Sequence, residues 1–265
     1  MSSGISSIAS YYQTQTNTIA AEITSIGQQI STGTKVLTVS QQKTVATLSK
    51  KASSYSTPEA SIKNAQSVVA LAETGLSSIK SLLQQMQVLA EQASDKQLAS
   101  SDSTSFNNRF QALVTKIGKD ATSAGLKGTN LLSGTAGVNV STDITGDANS
   151  RMRINSVNVY GMLTAGILSG VAVDTPQNAT QAISQIQGAL LQIQSGQTTL
   201  QNASTTLTKK AAALTGDVTA INTQVNSITH VDVKQLQAQL TALHSQYNID
   251  YNLSSQLNSL AAKNL

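Results

Sequence analysis

The feature that most narrows what this chain can fold into is a seven-residue rhythm between Ile183 and Ile228. Ile186, Ile193, Leu200, Leu207, Leu214, Ile221 and Ile228 stand seven apart without a gap. A second column, three residues ahead, runs Ile183 and Leu190, then polar Gln197 and Ser204, then Ala211, Val218 and Val225. A hydrophobic period of seven held this long winds a helix into a left-handed supercoil against a partner. From Ile186 to Ile228 the seam is about 60 Å long, roughly twice the width of a small globular domain. The expected fold is mainly α: an elongated antiparallel coiled-coil rod along which the rest of the chain packs.

Composition agrees with long interlocked helices. Aromatic residues are 3% of the 265, with no Trp and no Cys. Aromatics bring the most burial per residue, so Ala, Leu, Ile and Val must do the packing. Charged residues are 11%, where about a quarter is usual, and the polar surface is Ser, Thr, Asn and Gln. The formal charge of +4 comes from thinly spread Lys, and Arg occurs only at positions 109, 151 and 153. That is no clustered basic face, so nucleic acid is not an expected partner. Without Cys there are no disulfides, thiolate metal sites or Cys nucleophiles. No Lys or Arg precedes Lys35 and no unbroken apolar run opens the chain, so no cleaved signal peptide is expected. No stretch approaches 18 apolar residues, so no membrane insertion is expected.

Residues 1–35 contain a helix whose apolar set is Ile5, Ile8, Tyr12, Ile19, Ile23, Ile26 and Ile30, with Glu22 the only charge before Lys35. The seam is narrow and the other faces hold poor helix formers, so its stability must come from packing. Ser31-Thr32-Gly33-Thr34-Lys35 reads as a break. Residues 36–56 form a connecting spoke, with Val36, Leu37, Val39, Val45 and Leu48 suggesting a short strand-like piece before a helical turn. Thr57-Pro58-Glu59 reads as a helix start: a hydroxyl cap, Pro in the first turn and an acid facing the dipole.

The helix that follows carries Ile62, Val69, Leu76, Leu83 and Ala90 in one column and Ala65, Ala72, Ile79, Met86 and Ala93 in the other. Ser101-Asp102-Ser103 is expected to cap the next helix, whose seam is Phe106, Phe110, Leu113, Ile117 and Ala124. The short link between them makes the two antiparallel. Residues 57–125 and 175–231 would thus form a helical rod domain. Within it, 126–174 changes character: glycines punctuate alternating runs such as Val138-Asn139-Val140 and Ile154 to Val159, which read as β-hairpins.

Asp174-Thr175-Pro176 repeats the cap-then-Pro signal and launches the long seam. No charged residue lies between Asp174 and Lys209, although an exposed coiled coil normally carries flanking charges; more than one face should be covered. After His230-Val231-Asp232 the last segment resumes with Leu236, Leu240, Leu243, Tyr247, Leu253, Leu257 and Leu260. Residues 1–35 and 232–265 are therefore expected to pair as a terminal coiled coil that completes its burial against copies of itself.

Several stretches resemble the bacterial flagellins. The run from Ala65-Gln66-Ser67-Val68-Val69 to Leu76, continuing from Leu83-Gln84-Gln85-Met86-Gln87 to Ala93, is similar to that family's N-terminal signature. Gln28-Gln29-Ile30-Ser31-Thr32-Gly33 looks like its "LSSG" turn. Gly128-Thr129-Asn130-Leu131-Leu132-Ser133-Gly134 is similar to its "G-x-x-L-L-x-G" turn into the hairpins. Asp232-Val233 with the Leu-rich final segment looks like its last helix. The resemblance implies an extracellular structural subunit that self-assembles into the helical flagellar filament for motility. The paired termini would form the inner tube, and there would be no large outer domain. It implies as partners further copies of the chain, the flagellar cap and hook-associated proteins, the type III export apparatus and an export chaperone. The self-assembly residues would be the terminal apolar sets. The rod core would include Val69, Leu76, Ile79, Leu83, Met86 and the Ile186–Ile228 column.

Relatives commonly carry Arg where Gln85 and Gln87 stand, on a surface that a vertebrate innate immune receptor recognises. The loss of both charges implies weak or absent receptor activation. The hook–filament junction protein shares the architecture and is the alternative reading; a secreted coiled-coil adhesin or effector is a more distant one.

No enzymatic chemistry is expected. His230 and His244 sit in no H-E-x-x-H or carboxylate-rich setting, and the glycines of 125–170 form neither G-x-G-x-x-G nor a P-loop. Asp143 and Asp147 share a loop, but turn chemistry accounts for them better than a cation site. No cofactor is expected.

Overall fold

The computed structural model describes residues 2–147 and 150–263. The chain is mainly α-helical, with seven helices and two small antiparallel strand pairs among these residues. It divides into two compact units, Ala52–Thr219 and Met1–Lys51 with Ala220–Leu265.

In the first unit, α3 (Ser56–Ala93) and α4 (Ser100–Ser123) form an antiparallel pair. The Ser78 hydroxyl donates to Asp120 Oδ2 at 2.7 Å and fixes their register. Ile62, Ala65, Val69, Ala72, Leu76, Ile79, Leu83, Met86, Ala90 and Ala93 are all buried, which places both heptad columns of α3 in the core. Phe110, Ile117 and Ala121 answer them from α4, while Phe106 and Leu113 are half-buried.

The long helix α6 (Pro176–Thr229) contributes Ile186, Ile193, Leu200 and Leu207, none with measurable exposure, and Leu214. Residues 55–59 share a groove with 214–219, and residues 70–77 share one with 197–201. The portions of α3 and α6 in this unit therefore run antiparallel. Elsewhere the charge-free outer side of α6 is open, and Leu191 is 69% exposed. Beside the Ile186 column, Ala182, Ala189 and Ala203 are buried as well, so α6 does have a second covered face within this unit.

Between α4 and α6 lie β1 (Gly125–Leu126), β2 (Thr129–Asn130), β3 (Val138–Ser141), β4 (Arg151–Ile154) and the short helix α5 (Val159–Thr164). β1 pairs with β2, and β3 with β4 in a register of Val138 opposite Ile154. Asn130 is the pivot. Its side-chain NH2 donates to the Ala121 and Thr122 carbonyls at the end of α4, and its Oδ1 accepts from the amides of Leu132 and Ser133. This satisfies carbonyls that a helix C-terminus leaves unpaired and turns the chain so that Leu131 and Leu132 are fully buried. Two glycines of α6 act as sockets: a Cβ on Gly188 would strike Ile167 Cδ1, and one on Gly196 would strike Val157 Cγ1, each at 2.5 Å.

Four local expectations are corrected. Residues 36–56 hold no strand: α2 spans Val39–Ser54. Thr38 and Gln41 form a reciprocal capping box, the Gln41 amide N–H donating to Thr38 Oγ1 and the Thr38 amide to Gln41 Oε1, and this outweighs the strand preference of the β-branched residues around it. Thr57 does not cap α3, because α2 runs into it with only Tyr55 between, and that residue is itself helical. Pro58 is tolerated because the first turn needs no N–H from it. The α4 helix starts at Ser100 without a side-chain cap, leaving Asp102 to face the dipole. Only Ile154 of the run to Val159 is in a strand: Asn158 adopts φ +44° and accepts a hydrogen bond from the Gly161 amide, starting α5 instead.

The second unit holds α1 (Ser2–Thr32), the final turns of α6 and α7 (Val233–Lys263). Gly33, at φ +65°, ends α1 in the left-handed conformation that favours glycine. Asp232 caps α7 by accepting from the Gln235 amide at 3.0 Å.

Candidate assembly surface

In the second unit, α1 and α7 pair closely. The Ser254 hydroxyl donates to the Ala9 carbonyl at 3.3 Å, while Gln29 lines a common pocket with Gln235 and Leu236. Residue 9 thus lies at the level of 254 and residue 29 at the level of 235, an antiparallel arrangement. On α1, the columns turned inward are Ile5, Tyr12, Ile19, Ile26 and Ala9, Thr16, Ile23, Ile30. On α7 they are Leu236, Leu243, Asp250, Leu257 and Leu240, Tyr247, Ser254, Ala261.

Few of these are fully buried: Ala9, Thr16 and Ile19 on α1, and Asp250, Ser254 and Ala261 on α7. Only Ile19 among them is a large aliphatic side chain. Asp250 accepts a hydrogen bond from its own helix, from Gln246 Nε2 at 2.8 Å. The Thr16 hydroxyl likewise bonds back to the Tyr12 carbonyl. The sequence reading missed Ala9, Thr16, Asp250, Ser254 and Ala261 on this seam, although each extends a heptad column that the larger residues already mark.

Two residues expected on the seam lie off it: Ile8 is 50% exposed and Leu260 48%. Leu253 is half-buried beside them. By the Ala9–Ser254 register, Ile8 and Tyr11 lie at the level of the exposed Ile249, Tyr251 and Leu260. Tyr11 meets Tyr12 edge-on with ring centroids 5.5 Å apart, and Tyr247 stacks on Tyr251 at 6.2 Å. This end of the helix pair therefore leaves several large apolar and aromatic side chains exposed, Ile249 and Leu260 on one side of α7 and Tyr251 on the other, residue types enriched at protein interfaces.

Elsewhere the side chains serve the fold. Gln85 is exposed, and the Gln87 amide donates to Glu91 Oε1 at 2.9 Å. Both candidate loop carboxylates are taken by turn backbone, Asp143 by the Ile144 amide and Asp147 by the Ser150 amide. No group of three His, Asp or Glu able to hold a metal ion occurs among the described residues. His230 and His244 are exposed. Among the described residues no helix is long and apolar enough to cross a membrane.

The buried Tyr55 phenol is held away from its ordinary value. Burial, then the charges of Asp217 and Asp143, then a hydrogen bond with Asp217, raise its phenol above 10.0. A raised pKa favours the neutral phenol in the folded state. That contribution is complete below pH about 10 and fades as pH climbs through the folded value. In Tyr55→Phe, the thermal midpoint should fall less steeply above pH about 10 than in the wild type. Equal slopes would contradict the assignment.

A family model described as the bacterial flagellin N-terminal helical region matches residues 5–137. The crystal structure of Bacillus cereus flagellin is similar, with a TM-score of 0.51 and 20% identity, over 57% of this chain and 86% of that one. At that identity the likeness is one of fold. No curated protein matches by sequence. The matched region takes in half the chain, from the start of the terminal helix through α3, α4 and the Asn130 turn, and on that ground the protein belongs to the bacterial flagellin family.

Proposed function

We propose that this chain is the major subunit of a motility filament, polymerising through its paired terminal helices. Flagellins are a structural family that self-polymerises into an extracellular filament. The observation that carries the reading is the exposure of large apolar side chains at one end of the α1–α7 pair, Ile8, Tyr11, Ile249, Tyr251 and Leu260 among them. Fully covering such a side chain is worth about 1.5–3 kcal/mol. Ordering a residue costs about 1–2 kcal/mol of backbone entropy, and the pair buries too little to meet that cost alone. The termini should therefore be loose in a dilute monomer and firm in the polymer.

Hydrogen exchange tests this directly. Amides of α1 and α7 should exchange rapidly in the dilute monomer and slowly in polymer, while those of α3 stay protected in both. Slow exchange at both termini of the monomer would contradict it. Negative-stain microscopy after salting out should show long uniform tubes.

The subunit would reach the cell exterior through the type III export apparatus, held by an export chaperone, and be placed beneath the flagellar cap on the hook-associated proteins. A deletion strain separates filament from junction. Disappearance of the filament's own major protein supports the present reading. Filament loss with the major protein leaking into the medium would assign the chain to the hook–filament junction.

A further inference from the structure

We infer that α2 is a docking helix for a second copy of this chain, and that its lysines engage the acidic α3–α4 turn of that copy. The inference rests on the polymer reading above and specifies one of its contacts. It starts from an anomaly: α2 runs for 16 residues without burying one of them. A helix that short is marginal in water without a packed face. Its outer stripe is Val39, Lys43, Ala46 and Lys50, at the spacing of a single helix face, and all four are exposed. The helix carries three lysines and no acid, in a chain with only 11% charged residues.

The matching surface lies where α3 ends and α4 begins. Glu91, Asp95 and Asp102 are exposed there, with Lys96 the only cation in the turn and Arg109 two turns further along α4. Asp174 joins them, because the Ser103 hydroxyl donates to its carbonyl at 3.2 Å. Glu91 is in the last turn of α3 and Asp95 two residues beyond its end, while Lys43 and Lys50 are two helical turns apart, so both sets lie within reach of a single contact.

The chain cannot satisfy this match internally. From Ser56 to Glu91, α3 rises by about 50 Å, whereas α2 is about 24 Å long and ends next to the start of α3. Whatever its direction, α2 stops well short of the acidic turn of its own copy. Two different surfaces meeting between copies make a heterologous contact, which propagates instead of closing. Complementary charge also sets register between copies and excludes misaligned ones.

Charge exchange provides the test. Lys43→Glu with Lys50→Glu should raise the critical concentration for elongation from seeds by roughly tenfold or more, and Glu91→Lys with Asp95→Lys should do the same. Combining all four substitutions in one chain should bring it back to within about threefold of wild type, a recovery that damage to folding could not produce. The penalty of each pair should shrink at high ionic strength. If the wild type forms tubes and the Lys43/Lys50 variant elongates equally well, the docking is overturned and the polymer reading stands. The docking is also overturned if the combined chain fails to recover. If the wild type itself forms no tubes, the polymer reading falls and the docking falls with it.

Discussion

Ile19→Asp should yield a protein that remains folded in residues 52–219 and forms no filament at any practical concentration. Ile19 is the only large aliphatic side chain of α1 that α7 buries. Removing it forfeits about 1.5–3 kcal/mol of burial. The new carboxylate adds a desolvation penalty of several kcal/mol unless it takes up a proton, in a pair that already contains Asp250. Each 1.4 kcal/mol is tenfold in association, so a loss of about 3 kcal/mol already moves the critical concentration more than a hundredfold. Sedimentation after seeding reads the polymer, and the unchanged melting of the α3–α4 unit shows that the lesion is confined to the terminal pair. Ile8→Asp separates pairing from assembly. Ile8 lies outside the pair, so this substitution should spare the monomer and still block growth. Normal filaments from Ile19→Asp would remove the α1–α7 pair from the assembly mechanism.

The terminal pair also shows how far hydrophobic pattern reaches. Ile5, Tyr12, Ile19 and Ile26 are legible because large side chains repeat on the seam. Ile8 and Leu260 are misplaced for one shared reason: each stands immediately before the residue that actually faces the partner, Ala9 and Ala261. Where helices approach closely enough for a Ser hydroxyl to reach the opposite carbonyl, small residues occupy the contact and large ones are displaced to its flanks. A reading that scores apolar size picks the flank.

In the unit of α3 and α4, pattern and burial coincide in both columns of α3 from Ile62 to Ala93 and in the Ile186–Leu214 column of α6, but the second buried column of α6 is Ala182, Ala189 and Ala203, not the half-buried one that holds Leu190. The capping box at Thr38 and Gln41 is present in the sequence, but the β-branched residues around it dominate a reading by pattern alone, even though the box prevails in the fold. The Asn130 pivot was not legible, since nothing local shows that its side chain turns back onto the carbonyls of Ala121 and Thr122.

Phe110→Ala should cost about 3–5 kcal/mol, toward the upper end of what such truncations remove. The size of the penalty depends on whether the surroundings can close over the space, and here they are already in contact. By the Ser78–Asp120 register Phe110 lies at the level of the Leu82–Leu89 stretch of α3, where Leu82, Leu83, Met86 and Leu89 are themselves buried. Phe110 has no measurable exposure, and the chain holds only two Phe and no Trp, so no other large ring stands ready to swing in. For a unit of this size each kcal/mol lowers the midpoint by about 2–4 °C, giving an expected drop of roughly 6–20 °C in calorimetric melting. Phe106→Ala, at a half-buried position one turn earlier, should cost less than half as much. Equal losses from the two would mean that the α3–α4 core relaxes around either vacancy, contrary to the close packing expected at Phe110.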